Sequence, residues 1–144
     1  MKKLLFSGIL ALIGLMTACS DKPVTAEQLP EPIKAFIQQT FPGQTISFAT
    51  KDFEGLGYQY DVILADGTRI DFDTDNVWDK IECTMENPVP TALIPAPIVT
   101  HIQSQYPTAM ILKIDKERYG YEIELANGLE LKFNQQGALM EVDD

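Results

Sequence analysis

The chain is written twice, and no other feature constrains its fold as strongly. The segment LPEPIKAFIQQTFPGQTI, residues 29–46, matches IPAPIVTHIQSQYPTAMI, residues 94–111, at an offset of 65. Pro30, Pro32, Ile33, Ile37, Gln38, Pro42 and Ile46 recur as Pro95, Pro97, Ile98, Ile102, Gln103, Pro107 and Ile111, and Phe41 becomes Tyr106. Further on, residues 57–81 match residues 118–142 at an offset of 61. Tyr60, Leu64, Ala65, Gly67 and Phe72 recur there as Tyr121, Leu125, Ala126, Gly128 and Phe133. The change of offset places a four-residue insertion in the first copy, around Asp52 to Gly57. Its Gly-rich DFEGLG reads as a longer loop. Repeat one spans 29–87 and repeat two 94–144.

Each copy predicts a helix followed by four strands. A Pro-x-Pro entry suits a first helical turn. Ile33, Phe36, Ile37 and Phe41 share a face at 3.6-residue spacing, as do Ile98, His101, Ile102 and Tyr106. Phe41-Pro42 and Tyr106-Pro107 end the helices, since a residue before proline avoids the helical region. His101 therefore stands where Phe36 stands, on the inward stripe or its border, where packing is the ordinary role. Beyond the helices the period becomes two: Tyr58, Tyr60, Val62 and Leu64 alternate with Gln59 and Asp61, and Leu129, Leu131 and Phe133 with Glu130 and Lys132. Asp66-Gly67 and Asn127-Gly128 are hairpin signals. One sheet face is apolar and needs a cover, which the helix supplies; the other is polar. The expected class is α+β.

The N-terminus carries an address. Lys2 and Lys3 precede an apolar run from Leu4 to Met16, and Thr17 and Ala18 lead to Cys19. This is the pattern of a secretory signal peptide, residues 1–18, with a run too short for a comfortable membrane span. Met16-Thr17-Ala18-Cys19 resembles the lipobox of bacterial lipoproteins, with Met16 in place of the usual Leu. The resemblance implies cleavage before Cys19, lipidation of that cysteine, and a short tether over 19–28. The chain is then exported and anchored to a bacterial membrane, periplasmic or surface-exposed.

Charge and cysteine count narrow the function. The net charge is −10, and the leader holds two of the eleven basic residues and no acid, so the exported part is more acidic still. Nucleic acid and anionic lipid, which need basic patches, are not expected partners. With Cys19 lipidated, only Cys83 remains, and it reads as a small buried hydrophobe. One histidine, no G-x-S-x-G, no H-E-x-x-H and no Gly-rich phosphate loop leave no catalytic constellation, and no cofactor is expected.

DFDTDNVWDKIE, residues 71–82, matches calcium-loop spacing with Asp71, Asp73, Asp75, Asp79 and Glu82, and fails only at Asn76, where Gly belongs. Its twin KFNQQGALMEVD, residues 132–143, keeps the turn and drops the acids. The flanks have strand rather than helix periodicity, so the reading is a strand entering a hairpin. No metal site is expected, with a surface ion at Asp73 and Asp75 as the alternative.

The pattern of Leu29, Pro30, Ile33, Ile37, Phe41 and Pro42, then Tyr60, Val62, Leu64, Asp66, Gly67, Ile70, Phe72 and Asp73, then Trp78, Ile81 and Cys83, resembles the PepSY-like, β-lactamase-inhibitor-like family of exported bacterial proteins. The resemblance spans nearly all of the chain after Leu29. It implies a domain over 29–144 in which two tandem α-β4 units form one antiparallel sheet with both helices on one face. It also implies an envelope protein with no established enzymatic activity.

The resulting expectation is a non-catalytic binding module, an inhibitor or accessory protein acting on an envelope protein or peptide. Its docking face would carry Gln59, Asp61, Arg69, Asp71, Glu122, Glu124, Glu130 and Lys132. Trp78 joins this set if strict alternation from Ile81 and Cys83 holds, but a hairpin bulge would turn it into the core. The competing classes are an envelope hydrolase using sheet-face carboxylates such as Asp61 and Asp71, and a calcium-binding surface protein.

Overall fold

The computed structural model describes residues 21–144; the leader, the lipobox and Cys19 lie outside the described residues. The elements run β1 (Lys22–Pro23), α1 (Glu31–Thr40), β2 (Ile46–Glu54), β3 (Gly57–Leu64), β4 (Arg69–Phe72), β5 (Trp78–Glu82), α2 (Ala96–Gln105), β6 (Ile111–Glu117), β7 (Gly120–Leu125), β8 (Glu130–Asn134) and β9 (Leu139–Asp143). All nine strands form one sheet in sequence order, each antiparallel to its neighbour. The fold is therefore α+β, with two α-β4 units joined where β5 pairs with β6.

Both helices open on proline and close as their sequences dictate. The amides of Phe41 and Tyr106 donate to the carbonyls of Ile37 and Ile102 at 2.8 and 2.7 Å, and the following prolines forbid another turn. The helices cover the same face of the sheet. Phe36 of α1 meets Phe72 edge-on at 5.7 Å, and His101 of α2 meets Phe133 edge-on at 5.5 Å. His101 is thus packed on the border of the inward stripe, as its twin Phe36 is.

Beneath the helices one row of directly opposed residues crosses eight strands: Ala49, Val62, Ile70, Ile81, Ile114, Ile123, Leu131 and Val142. All are 0–2% exposed except Val142 on the edge strand, at 43%. Ile33, Ile37, Ile98 and Ile102 close the core from above. This row is the repeat's period-two pattern in three dimensions, and it holds the opposite face in register.

Two expectations need correction. The four extra residues of the first copy do not make a loop. They lengthen a hairpin: β2 has nine residues against seven in β6, and β3 eight against six in β7. Both hairpins still close on two residues, Gly55-Leu56 between Glu54 and Gly57, and Arg118-Tyr119 between Glu117 and Gly120. Paired backbone satisfies its own hydrogen bonds, which a loop of that length does not. The segment read as a tether is also partly in the sheet. Lys22 pairs with Lys51 and Pro23 with Thr50, covering part of the β2 edge. Proline and lysine are suited to an edge strand.

Candidate functional site

The sheet face away from the helices is built by the same alternation that builds the core. One step along each strand from the core row lies a second row: Asp61, Asp71, Lys80, Asp115, Glu122, Lys132 and Glu141, each directly opposite the next. Beside it runs a third: Arg69, Glu82, Lys113, Glu124, Glu130 and Asp143. Among the described residues no helix or strand covers this face.

The bases on the second copy are held by acids. Lys113 Nζ lies 3.6 Å from Glu122 and 3.5 Å from Glu124, and Lys132 Nζ lies 3.4 Å from Glu141 and 2.9 Å from Asp143. The hydrogen bond to Asp143 raises the Lys132 ammonium above its ordinary range and lowers the Asp143 carboxyl below its own. Three like-charged pairs stand directly opposite each other: Asp61 with Asp71, Asp115 with Glu122, and Glu124 with Glu130. Such pairs oppose sheet formation, so the face carries an excess of negative charge that its own cations leave uncompensated.

The Asp61–Asp71 pair shows the consequence. Burial, then the neighbouring Asp61 carboxylate, pushes Asp71 up to about 6 against the opposing pull of Lys80 and Arg69. Burial, then Asp21, raises Asp61. The two line one depression with Arg69, Thr50 and Phe48. A folded-state pKa above the unfolded value means that the folded chain binds the proton more tightly. Asp71 therefore favours folding below the unfolded value, and that contribution is lost as pH rises through about 6. Asp71→Asn is expected to stabilise the protein by about 1–2 kcal/mol at pH 7.5, after discounting for solvent screening, and to give no gain at pH 4. Thermal unfolding at the two pH values measures this, and an equal effect at both would refute it.

Asp61, Arg69, Asp71, Glu122, Glu124, Glu130 and Lys132 share this face, and Gln59 lies at its end, opposite Asp52. Trp78 does not belong to it, which corrects its inclusion in the docking set. Asp71 pairs with Lys80 and Phe72 with Trp78, so Asp79 is an extra residue that resets the register. The indole turns to the helix side, 9% exposed, with its ring 6.5 Å from that of Phe36. Lys116 Nζ sits 3.6 Å from the indole centroid and donates to the Trp78 carbonyl at 2.8 Å. Lys80, Glu82, Lys113, Asp115, Glu141 and Asp143 belong to the face but were not in the expected set. Their alternation with Ile81, Cys83, Ile114 and Val142 was the available signal.

The acidic turn between β4 and β5 and its uncharged twin between β8 and β9 have the same structural role. Asp73 Oδ1 accepts from the amides of Asp75 and Val77, both at 2.9 Å. Asn134 Oδ1 does the same for Gln136 at 3.0 Å and Ala138 at 2.9 Å. Asn76 has φ 62° and its twin Gly137 φ 80°, the left-handed step such a turn requires. Strands flank the turn, and among the described residues no group of three or more metal-ligating side chains is assembled. Asp79 next to it is raised by burial and then by Asp73, and its Oδ1 is buried without a hydrogen-bond partner. Cys83 is buried, and burial pushes its thiol up to about 11, away from the thiolate a nucleophile needs.

Fold and face together define a class: a tandem α-β4 module with one sheet face closed by two helices and the other open and charged. The chain belongs to the family described as "Putative beta-lactamase-inhibitor-like, PepSY-like", whose model matches residues 15–54 and 58–141. It is similar to a Bacteroides thetaiotaomicron protein described as a "putative calcium-regulated periplasmic protein": 34% identity, TM-score 0.79, covering 86% of this chain and 97% of that one. A Bacteroides vulgatus protein described as a "putative periplasmic protein" is 33% identical, with TM-score 0.80 over 88% of this chain and 99% of its own. A second from the same organism, described as a "putative periplasmic protein of unknown function", is 29% identical, with TM-score 0.79 over 87% of this chain and 100% of its own. No curated protein matches the chain.

Proposed function

We propose that this protein is a lipid-anchored, non-catalytic binding module of the bacterial envelope whose open sheet face docks a protein or peptide partner. The observation that carries the reading is that face: two continuous charged rows held rigid by the buried row beneath, with like-charged pairs left opposed. A partner presenting basic groups would relieve that repulsion. The periplasmic description of the relatives supports export, and Met16-Thr17-Ala18-Cys19 supports anchoring through Cys19. Affinity capture from envelope extract tests the docking face. The double variant Asp61→Lys, Glu124→Lys is expected to lose partners that the unaltered chain retains; recovery of the same partners by both would count against the reading.

A second reading, calcium responsiveness, is favoured by one relative's description and by the orphaned Asp79 oxygen beside Asp73. Trp78, adjacent to Asp79, is a built-in reporter. Millimolar calcium is expected to shift its emission and raise the melting temperature, and Asp79→Asn to abolish both. No response in the unaltered chain removes this reading.

A further inference from the structure

We infer that the lengthened β2–β3 hairpin is a membrane-contacting tip that enters a zwitterionic lipid surface beside the anchor. This rests on the lipid-anchored reading above. The first observation is what the insertion exposes. Phe53 is 60% exposed, Leu56 fully exposed and Tyr58 42% exposed. Phe53 and Tyr58 are cross-strand partners with rings 5.4 Å apart, and Leu56 stands in the turn beyond them. The family match passes over residues 55–57, the apex itself. The corresponding hairpin of the second copy is shorter and turns on Arg118-Tyr119.

The second observation is where the N-terminal chain comes from. β1 is antiparallel to β2, with Lys22 opposite Lys51 and Pro23 opposite Thr50. Traced backward from Lys22, the chain heads toward Glu54 and the apex. The described chain therefore enters the sheet from the end at which the apex lies. Cys19 is two residues before Asp21 in sequence, a chain span of at most about 8 Å.

The third is topological. In a sheet of consecutive antiparallel strands the β2–β3, β4–β5, β6–β7 and β8–β9 turns all lie at that end. Val77, Tyr119 and Met140, at or beside the other three turns, are exposed as well. Aromatic and leucine side chains at a tip suit the headgroup level of a bilayer. Asp52 and Glu54 flank the apex and would be repelled by anionic lipid, which selects a zwitterionic surface. Lipid chains hold the protein to the membrane; the tip would fix its tilt and present the open sheet face in a constant direction.

The test uses the exported, lipidated protein carrying Leu56→Trp, reconstituted in phosphatidylcholine vesicles with and without brominated acyl chains. Its added emission is expected to shift to the blue and to lose more than about half its intensity to bromine. Met110→Trp, at the other end of the sheet, is expected to remain water-exposed and unquenched. Mass spectrometry of the same sample reads the lipid on Cys19. Lipid present with Leu56→Trp water-exposed and unquenched overturns the tip alone. A blue shift without bromine quenching means that a second copy covers the apex, and also overturns it. Absence of lipid on Cys19 overturns the anchor reading, and the tip falls with it.

Discussion

Ile114→Ala is expected to destabilise the protein by about 3–5 kcal/mol. Ile114 is fully buried in the middle of the apolar row, so the substitution removes most of a large side chain and leaves a cavity beneath both helices. Its position makes the effect larger than burial alone. The two α-β4 units meet at three register pairs, Lys80 with Asp115, Ile81 with Ile114, and Glu82 with Lys113. Ile81–Ile114 is the apolar one. Val142→Ala, in the same row but 43% exposed on β9, is expected to cost less than about 1 kcal/mol. Urea unfolding of both variants measures the contrast. A broadened or two-step transition for Ile114→Ala would mean that the halves separate before they unfold, as the seam geometry leads one to expect. Equal costs for the two variants would show that the row does not act as one core.

Gly120→Ala is expected to be comparably severe, above about 3 kcal/mol, for a different reason. A Cβ at Gly120 would lie 2.1 Å from the Phe133 carbonyl oxygen and 2.4 Å from the Asn134 carbonyl carbon, and its φ is +151°. The obstacle is backbone of the paired strand, which cannot swing aside as a flexible side chain would. Gly128→Ala supplies the control. Its φ is +89° but nothing lies within 4 Å of the added atom, so it should cost only about 1 kcal/mol of backbone strain. Thermal unfolding compares them directly. A Gly120→Ala protein melting as the Gly128→Ala protein does would show that β7 and β8 approach less closely at Gly120 than these distances require.

The first copy has Gln59 where the second has Gly120, so the close approach belongs to one copy and no comparison of the repeats announces it. Other features were legible to differing degrees. The four-residue change of offset located the insertion correctly, but DFEGLG alone did not say whether the extra residues formed a loop or two longer strands. The pairs Phe53 with Tyr58 and Glu54 with Gly57 decide that. Alternation pointed to seven of the charged residues on the open face and to Gln59 at its end. Applied across the bulge at Asp79, the same rule would have placed Trp78 on that face too.

What the sequence determined by itself is what short-range physics controls. Proline at fixed places set where the helices begin and end. The period of two sorted apolar from charged side chains, and Asp-Gly and Asn-Gly set the hairpin turns. Because all of this occurs twice, it also implied two α-β4 units; that they share one sheet was implied only by the family resemblance. The tertiary structure decided what depends on atoms distant along the chain. Trp78 is buried because β4 pairs with β5 around an extra residue. Asp71 holds its proton up to about 6 because burial and the carboxylate of Asp61 on the adjacent strand both disfavour its charge. The N-terminal chain enters the sheet from the β2–β3 apex end because β1 runs antiparallel to β2. Each is a through-space relation, fixed by register and distance, which residue order alone does not contain.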